Sequence, residues 1–220
     1  MRIHADFSQP AVVAAGDQEW IHSPENGVDR IMLDRIGAEV ARATSIVRYA
    51  PGSAFSRHEH AKGEEFLVLE GVFSDEHGDY PTGTYVRNPP GSGHSPFSND
   101  GCRILVKLRQ FHPADLIPVT IDTHDVALWK RDEAGLTSHL KLHEFDSECV
   151  QMLRLPKGSD YSLAVGEGGV ELLVVSGSIA FGKQNLGEES WLRLPVGTDL
   201  HLLADSTTTL WTKSGHLPEA

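Results

Sequence analysis

Cysteine is scarce. Two thiols in 220 residues, Cys102 and Cys149, stand 47 positions apart, which excludes a disulfide framework and a C-x-x-C zinc motif. Positive charge is short as well. Nineteen Lys and Arg face 31 Asp and Glu, a net charge of −12 with no basic cluster, which argues against nucleic acid as a direct partner. No apolar run approaches the ~18 residues a membrane span needs. The opening MRIHADFSQP has no apolar core of a secretory signal. The expectation is a cytoplasmic protein that engages no membrane. Helical periodicity is also hard to find. With 40% apolar and 23% charged residues the chain is globular, so extended disorder is excluded. What stands out is histidine, 12 residues.

Strand alternation is easy to find. Ile46–Tyr49 ends at Pro51-Gly52, and Glu64 to Phe73 is a long apolar run. Thr84–Arg87 ends at Asn88-Pro89-Pro90-Gly91, and Ile104, Val106 and Leu108 share one face of Arg103–Arg109. Short strands at this spacing, with 21 Gly and 12 Pro scattered between them, predict a sandwich or barrel. Helix is expected only as a turn or two near Pro113 to Leu116.

The chain repeats itself at an offset of 106. Gly52 meets Gly158, Gly71 meets Gly177, Pro89 meets Pro195 and Gly91 meets Gly197. Arg48 meets Arg154, Arg87 meets Arg193, Tyr85 meets Trp191, and Phe66–Leu69 meets Leu172–Val175. A period of that length matches a whole small domain, so the reading is a duplication. The predicted boundary lies near Pro113 to Val119, giving domains 1–115 and 116–220.

The chemistry sits in the first copy. His58 and His60 are two apart and project together from a strand. Glu64 opens the next strand after the Ala61-Lys62-Gly63 turn, on the face of Phe66 and Val68. His94 follows a Pro-Pro-Gly-Ser-Gly turn that can swing its imidazole back. An H-x-H pair alone reads as a half-exposed edge strand. With Glu64, His94 and the turn residues in place, three imidazoles and one carboxylate in an apolar interior read as a divalent metal site. The cation compensates a buried carboxylate that would otherwise be disfavoured.

These residues resemble the cupin superfamily. Its first motif, G-x5-H-x-H-x3-E-x6-G, is met by Gly52, His58, His60, Glu64 and Gly71. Its second, G-x5-P-x-G-x2-H-x3-N, is met by Gly83, Pro89, Gly91 and His94, with Ser98 in place of the last Asn and Asn99 one position late. The resemblance implies an all-β chain of two tandem double-stranded β-helix (cupin, jelly-roll) barrels. Gly63 to Glu76 and Gly83 to Gly91 are similar to the ChrR type, the sensor domain of anti-sigma factors that restrain an extracytoplasmic-function (ECF) sigma factor and release it under singlet-oxygen stress. That likeness implies one divalent metal per chain, zinc first and iron or manganese as alternatives, on His58, His60, Glu64 and His94. It also implies an ECF sigma factor or other regulatory protein as partner. The H-x3-C-x2-C element of the zinc-binding anti-sigma domain is missing from this sequence, so the chain reads as the sensor half. Pairing of cupin sheets into a homodimer is a further expectation.

The second copy has Ala164, Gly166, Val170 and Leu200 where the four ligands stand, so the second barrel is expected to be metal-free. His201 has the wrong parity to replace His94. Cys102 reads as a packing residue, Glu76 to Asp79 as a hairpin tip, and Arg48, Arg57 and Arg87 as salt-bridging residues rather than anchors for an anionic substrate. Two functions remain: a stress-sensing, regulatory module, or a non-haem metal-dependent dioxygenase or isomerase acting on a small organic ligand. The catalytic residues are unassigned, and no organic cofactor is implied.

Overall fold

In a computed structural model, residues 1–133 and 135–218 are described. Positions 134, 219 and 220, inside the span expected for the second barrel, lie outside the described residues. The chain is all-β. Among the described residues the only helical segments are short 3-10 turns at Ala15–Asp17 and Val126–Leu128. The segment expected to be helical near Pro113 to Leu116 holds a single non-helical turn at Pro113-Ala114, closed by the Asp115 amide donating to the His112 carbonyl at 2.9 Å.

Two compact units emerge. The first comprises residues 1–5 and 19–124, the second residues 6–18 and 125–220. Division therefore falls at 124/125 rather than 115/116, because Val119–Asp122 adds to the first unit by pairing antiparallel with Thr84–Arg87. Residues 6–18 go with the second unit for a parallel reason: Ala11–Val13 pairs with Trp191–Arg193. Each main sheet thus gains its outer strand from a different flank of the duplicated core.

In the first unit the main sheet runs Arg2–Ile3, Val28–Gly37, Ala41–Tyr49, Cys102–Leu108, Glu64–Asp75, Thr84–Asn88, Val119–Asp122. Glu64–Asp75 is long enough to leave this sheet, so that its far end pairs with Gly78–Pro81 and Phe97. His58–Glu59 and Gly93–His94 form a short ladder of their own. The second unit repeats this plan. Cys102–Leu108 becomes Thr208–Ser214, and Gly78–Pro81 becomes Gln184–Gly187. A bulge lets the long strand bend. In the first unit it separates the Arg103–Glu70 and Ile104–Val68 pairs, in the second the Thr209–Ser176 and Leu210–Val174 pairs. The 106-residue offset holds at the bulge itself. The two cores are separate apolar clusters, one around Phe66, Phe73 and Ile104, the other around Leu172, Ile179 and Leu210.

Candidate metal centre

Strand pairing brings the four predicted residues to one point. His58 sits directly opposite His94 in the short ladder. His60 follows where the ladder ends, its amide donating to the Ser92 carbonyl at 2.8 Å. Glu64 starts the long strand, with Leu108 and Asn88 as its lateral neighbours. One ligand atom from each of His58, His60, Glu64 and His94 lies within 4.8 Å of all the others. The three imidazole centroids are 4.7–5.1 Å apart. Gly63 makes this turn possible: its φ of 76° favours glycine, and an added Cβ would meet the Phe111 ring at 2.4 Å.

The outer partners fix which nitrogen of each ring faces the centre. His58 Nδ1 lies 3.0 Å from the Ser56 carbonyl, which only accepts, so Nδ1 carries the proton. Ser92 gives its hydroxyl proton to the Pro89 carbonyl at 2.7 Å, so it accepts from His60 Nδ1 at 3.0 Å. His94 Nδ1 donates to the Asp75 carboxylate at 2.9 Å. In all three rings Nε2 is therefore the lone-pair nitrogen. Such outer-shell bonds are what orients metal-bound histidines.

The Nε2 atoms of His60 and His94 are buried without a hydrogen-bond partner and lie 3.5 and 3.4 Å from Glu64 Oε1. Burial pushes the Glu64 carboxyl up to about 7, against the weaker pull of Asn88. Burial and the neighbouring His94 and His58 push His60 down to about 3, and burial also lowers His94. Inward lone pairs on neutral rings beside a carboxylate that lacks a counter-charge match the donor set of a divalent ion.

The cluster forms part of the wall of a cavity of about 500 Å³, together with apolar residues such as Val47, Phe55, Ile104 and Leu108. The other residues of interest lie elsewhere. Arg48 pairs with Asp29 at 2.6 Å and covers the Trp20 ring, and Arg57 pairs with Glu76 at 2.7 Å. Arg87 is fully buried rather than a surface residue, locked between Glu65 and Asp115. The strand parity that aims Glu64 at the centre turns Glu65 toward this arginine. Cys102 is buried and its thiol is raised to about 11, which makes it unreactive. His201 is exposed beside Ser162 and Asp160. Sequence reasoning missed Asp75, Ser92 and Arg109. Asp75 ends the long strand, 19 positions before His94, and only the bend of that strand joins them.

Among known families, the ChrR cupin-like domain matches residues 8–112. No curated protein matches the chain. Solved structures of the same fold include a candidate dioxygenase from Nostoc punctiforme PCC 73102, with TM-score 0.75 and 15% identity over 97% of this chain and 85% of that one. The Escherichia coli pirin YhhW, solved in complex with nickel(II), has TM-score 0.71 and 14% identity over 96% and 100%. A salicylate 1,2-dioxygenase from Pseudaminobacter salicylatoxidans has TM-score 0.63 and 12% identity over 90% and 76%. At such identities the likeness is one of fold.

Proposed function

The chain carries a ChrR cupin-like domain over residues 8–112, and on that premise we propose that its first unit is a mononuclear metal site that binds and oxidises a small organic molecule. His58, His60, Glu64 and His94 hold one divalent first-row ion. The carrying observation is the cavity of about 500 Å³ above the four donors. Four protein ligands complete a zinc tetrahedron, and such closed sites serve structure. An octahedral iron or manganese ion with the same ligands leaves two positions for exogenous donors, and the cavity supports that reading. When bound, the ion supplies Lewis acidity and a place for dioxygen. The chain's own residues orient the ligand rings through Ser56, Ser92 and Asp75, keep Nε2 unprotonated, and surround the substrate with apolar walls.

Elemental analysis of the protein as purified, followed by oxygen uptake after iron(II) reconstitution in the presence of small organic acids, tests this. One metal per chain and substrate-dependent oxygen consumption are expected. A full metal site that consumes no oxygen points to the second reading, a stress-sensing module that signals to a sigma factor, which the family match itself favours. In that case photosensitised oxidation releases the metal, and an ECF sigma factor co-purifies with the protein.

A further inference from the structure

Three guanidinium groups line the cavity, Arg30, Arg35 and Arg109. Arg30 is paired with Glu39 at 3.2 Å, and Arg35 donates from Nε to the Ala38 carbonyl at 3.0 Å. Arg109 alone of the three has no side-chain hydrogen bond or ion pair among the described residues. Its position is also unusual. In Cys102–Leu108 the residues Ile104, Val106 and Leu108 face the cavity, while Lys107 points to the other face and donates to Thr44 at 2.8 Å. Strict alternation would send Arg109 after Lys107. Its backbone instead adopts φ 61°, a left-handed conformation that is costly for a residue with a side chain, and Arg109 joins the cavity wall. The turn is held by its amide, which donates to the Gly63 carbonyl at 2.9 Å. The residue just before it, Leu108, is the lateral neighbour of Glu64.

We propose that Arg109 is the anchor for the carboxylate of the cavity's ligand, so that the class of molecule bound is a small organic monocarboxylate with an apolar body. The proposal rests on the small-molecule reading of this cavity. A planar guanidinium fork matches a carboxylate with two parallel hydrogen bonds. One such fork beside walls made of Val47, Phe55 and Ile104 selects one charge and an apolar remainder. A cavity of about 500 Å³ lies in the range used for small ligands, and one aromatic ring fills about 150 Å³. Besides Glu64 three further carboxylates line the cavity: Glu39 and Glu59 are exposed and Glu25 is half-buried. Glu39 is already matched by Arg30. They disfavour a second acidic group on the ligand, which restricts the class to monoacids.

Calorimetric titration of the full chain with benzoate and 3-methylbutanoate, and with their uncharged amides, tests the proposal. Metal content is measured on every sample. At least one acid is expected to bind ten times or more tighter than its amide. Arg109→Gln should remove that preference, leave amide binding within about twofold and leave metal content unchanged, and Arg109→Lys should fall between. Arg109→Gly, which relieves the left-handed backbone, should lose the preference too while raising thermal stability. The preference should persist in chelated wild-type protein. If neither acid binds at millimolar concentration, or Arg109→Gln keeps the preference, the proposal is overturned. A preference that disappears with the metal while surviving Arg109→Gln assigns the carboxylate to the ion instead. A protein that holds no metal yet loses its acid preference in Arg109→Gln upholds the anchor and refutes the metal reading alone.

Discussion

The two units share a plan and differ on one face. In the first, the inner face of the long strand and its neighbours bounds a cavity of about 500 Å³. The matching residues of the second, among them Val170 for Glu64, Leu200 for His94 and Leu210 for Ile104, enclose about 20 Å³. The opposite face kept its chemistry. In the first unit Glu65 accepts from the Tyr85 hydroxyl at 2.9 Å and pairs with the buried Arg87. In the second Glu171 accepts from the Trp191 indole at 2.7 Å and contacts His216 at 3.0 Å, near a buried Arg193. Buried charges that hold one another cannot be lost singly, because the survivor is left uncompensated. Metal ligands lose their purpose together once the ion is gone, and apolar side chains then close the space. On the proposed metal reading, duplication followed by loss of one metal would empty one side of a strand of polarity and leave the other untouched.

Reversing that history at one position gives the largest effect. Val170→Glu restores the carboxylate where the positions matching the three imidazoles hold Ala164, Gly166 and Leu200 and the space is about 20 Å³. Leaving an uncompensated buried charge costs about 3–5 kcal/mol, so denaturant unfolding should show a loss of that size, and elemental analysis should still show no second metal. A variant as stable as the parent would mean that the second cavity opens to solvent.

Removing the polarity of the first unit works through the ion. The double change His58→Ala with His60→Ala should take metal content from one per chain to none. For metal in thousandfold excess over its dissociation constant, the lost linkage is about 4 kcal/mol. That is a fall of many degrees in Tm, because about 1 kcal/mol moves a 100-residue domain by roughly 4–8 °C. After chelation the double variant and the parent should melt much closer together. The second unit, with Ala164 and Gly166 at these positions, already stands in that state.

Much of this contrast was legible in the sequence. Turn residues such as Pro89 and Pro195, and the alternation of Ile104, Val106 and Leu108, mark strands and the repeat because their periods are local. Ligand spacing is local too, since His58, His60 and Glu64 lie within seven positions. What was not legible depends on distant strands. Arg87 looked like a surface residue until the pairing of Thr84–Asn88 with Glu64–Asp75 buried it. The seventh strand of each main sheet comes from a flank of the duplicated core, outside the 106-residue register. Arg109 followed a clean alternating pattern, and only its left-handed backbone turns it into the cavity.

The Glu64 carboxylate carries a pH dependence that the second unit lacks. Its folded value, about 7, lies above the ordinary 4.5. The metal-free folded state thus holds a proton that the unfolded state releases first. Stability from this group is full below pH 4.5 and is lost as pH rises through 7, a difference of about 3 kcal/mol. In chelated protein, Glu64→Gln should therefore match the parent near pH 4.5 and exceed it at pH 8. Metal binding should show the reverse trend, strengthening up to about pH 7 as Glu64 gives up its proton to the ion. Unfolding curves at several pH values, with and without chelator, measure both. A parent and variant that keep the same separation at every pH would show that Glu64 is not desolvated.

The smallest effect separates two outer partners that look alike in the first unit alone. Ser92 holds His60 and Asp75 holds His94. At the 106-residue offset Ser92 becomes Thr198, whose hydroxyl still donates to the Pro195 carbonyl at 2.7 Å, just as Ser92 donates to Pro89. The imidazole has gone, Gly166 stands in its place, and the hydroxyl remains. Its bond to the proline carbonyl is thus worth keeping for the turn itself. Asp75 becomes Phe181, which packs against the second core. The oxygen that faces His94 has no counterpart there, although the other oxygen of Asp75 also accepts from the His77 amide at 2.8 Å and the Tyr80 hydroxyl at 3.2 Å in the hairpin. Asp75→Asn keeps an acceptor for His94 Nδ1 but removes the charge that raises the ring's basicity, and outer-shell changes of this kind cost about 10–100-fold in metal affinity. Competition with a chromogenic chelator should show that loss, while the Tm of chelated protein falls only by what the weakened hairpin bond to the His77 amide was worth, about 1 kcal/mol. Ser92→Ala should also lower the Tm of chelated protein, by loosening the turn, and should move metal affinity less. If both variants changed affinity alone, the persistence of Thr198 would have no structural cause, and the division between the two residues would fail.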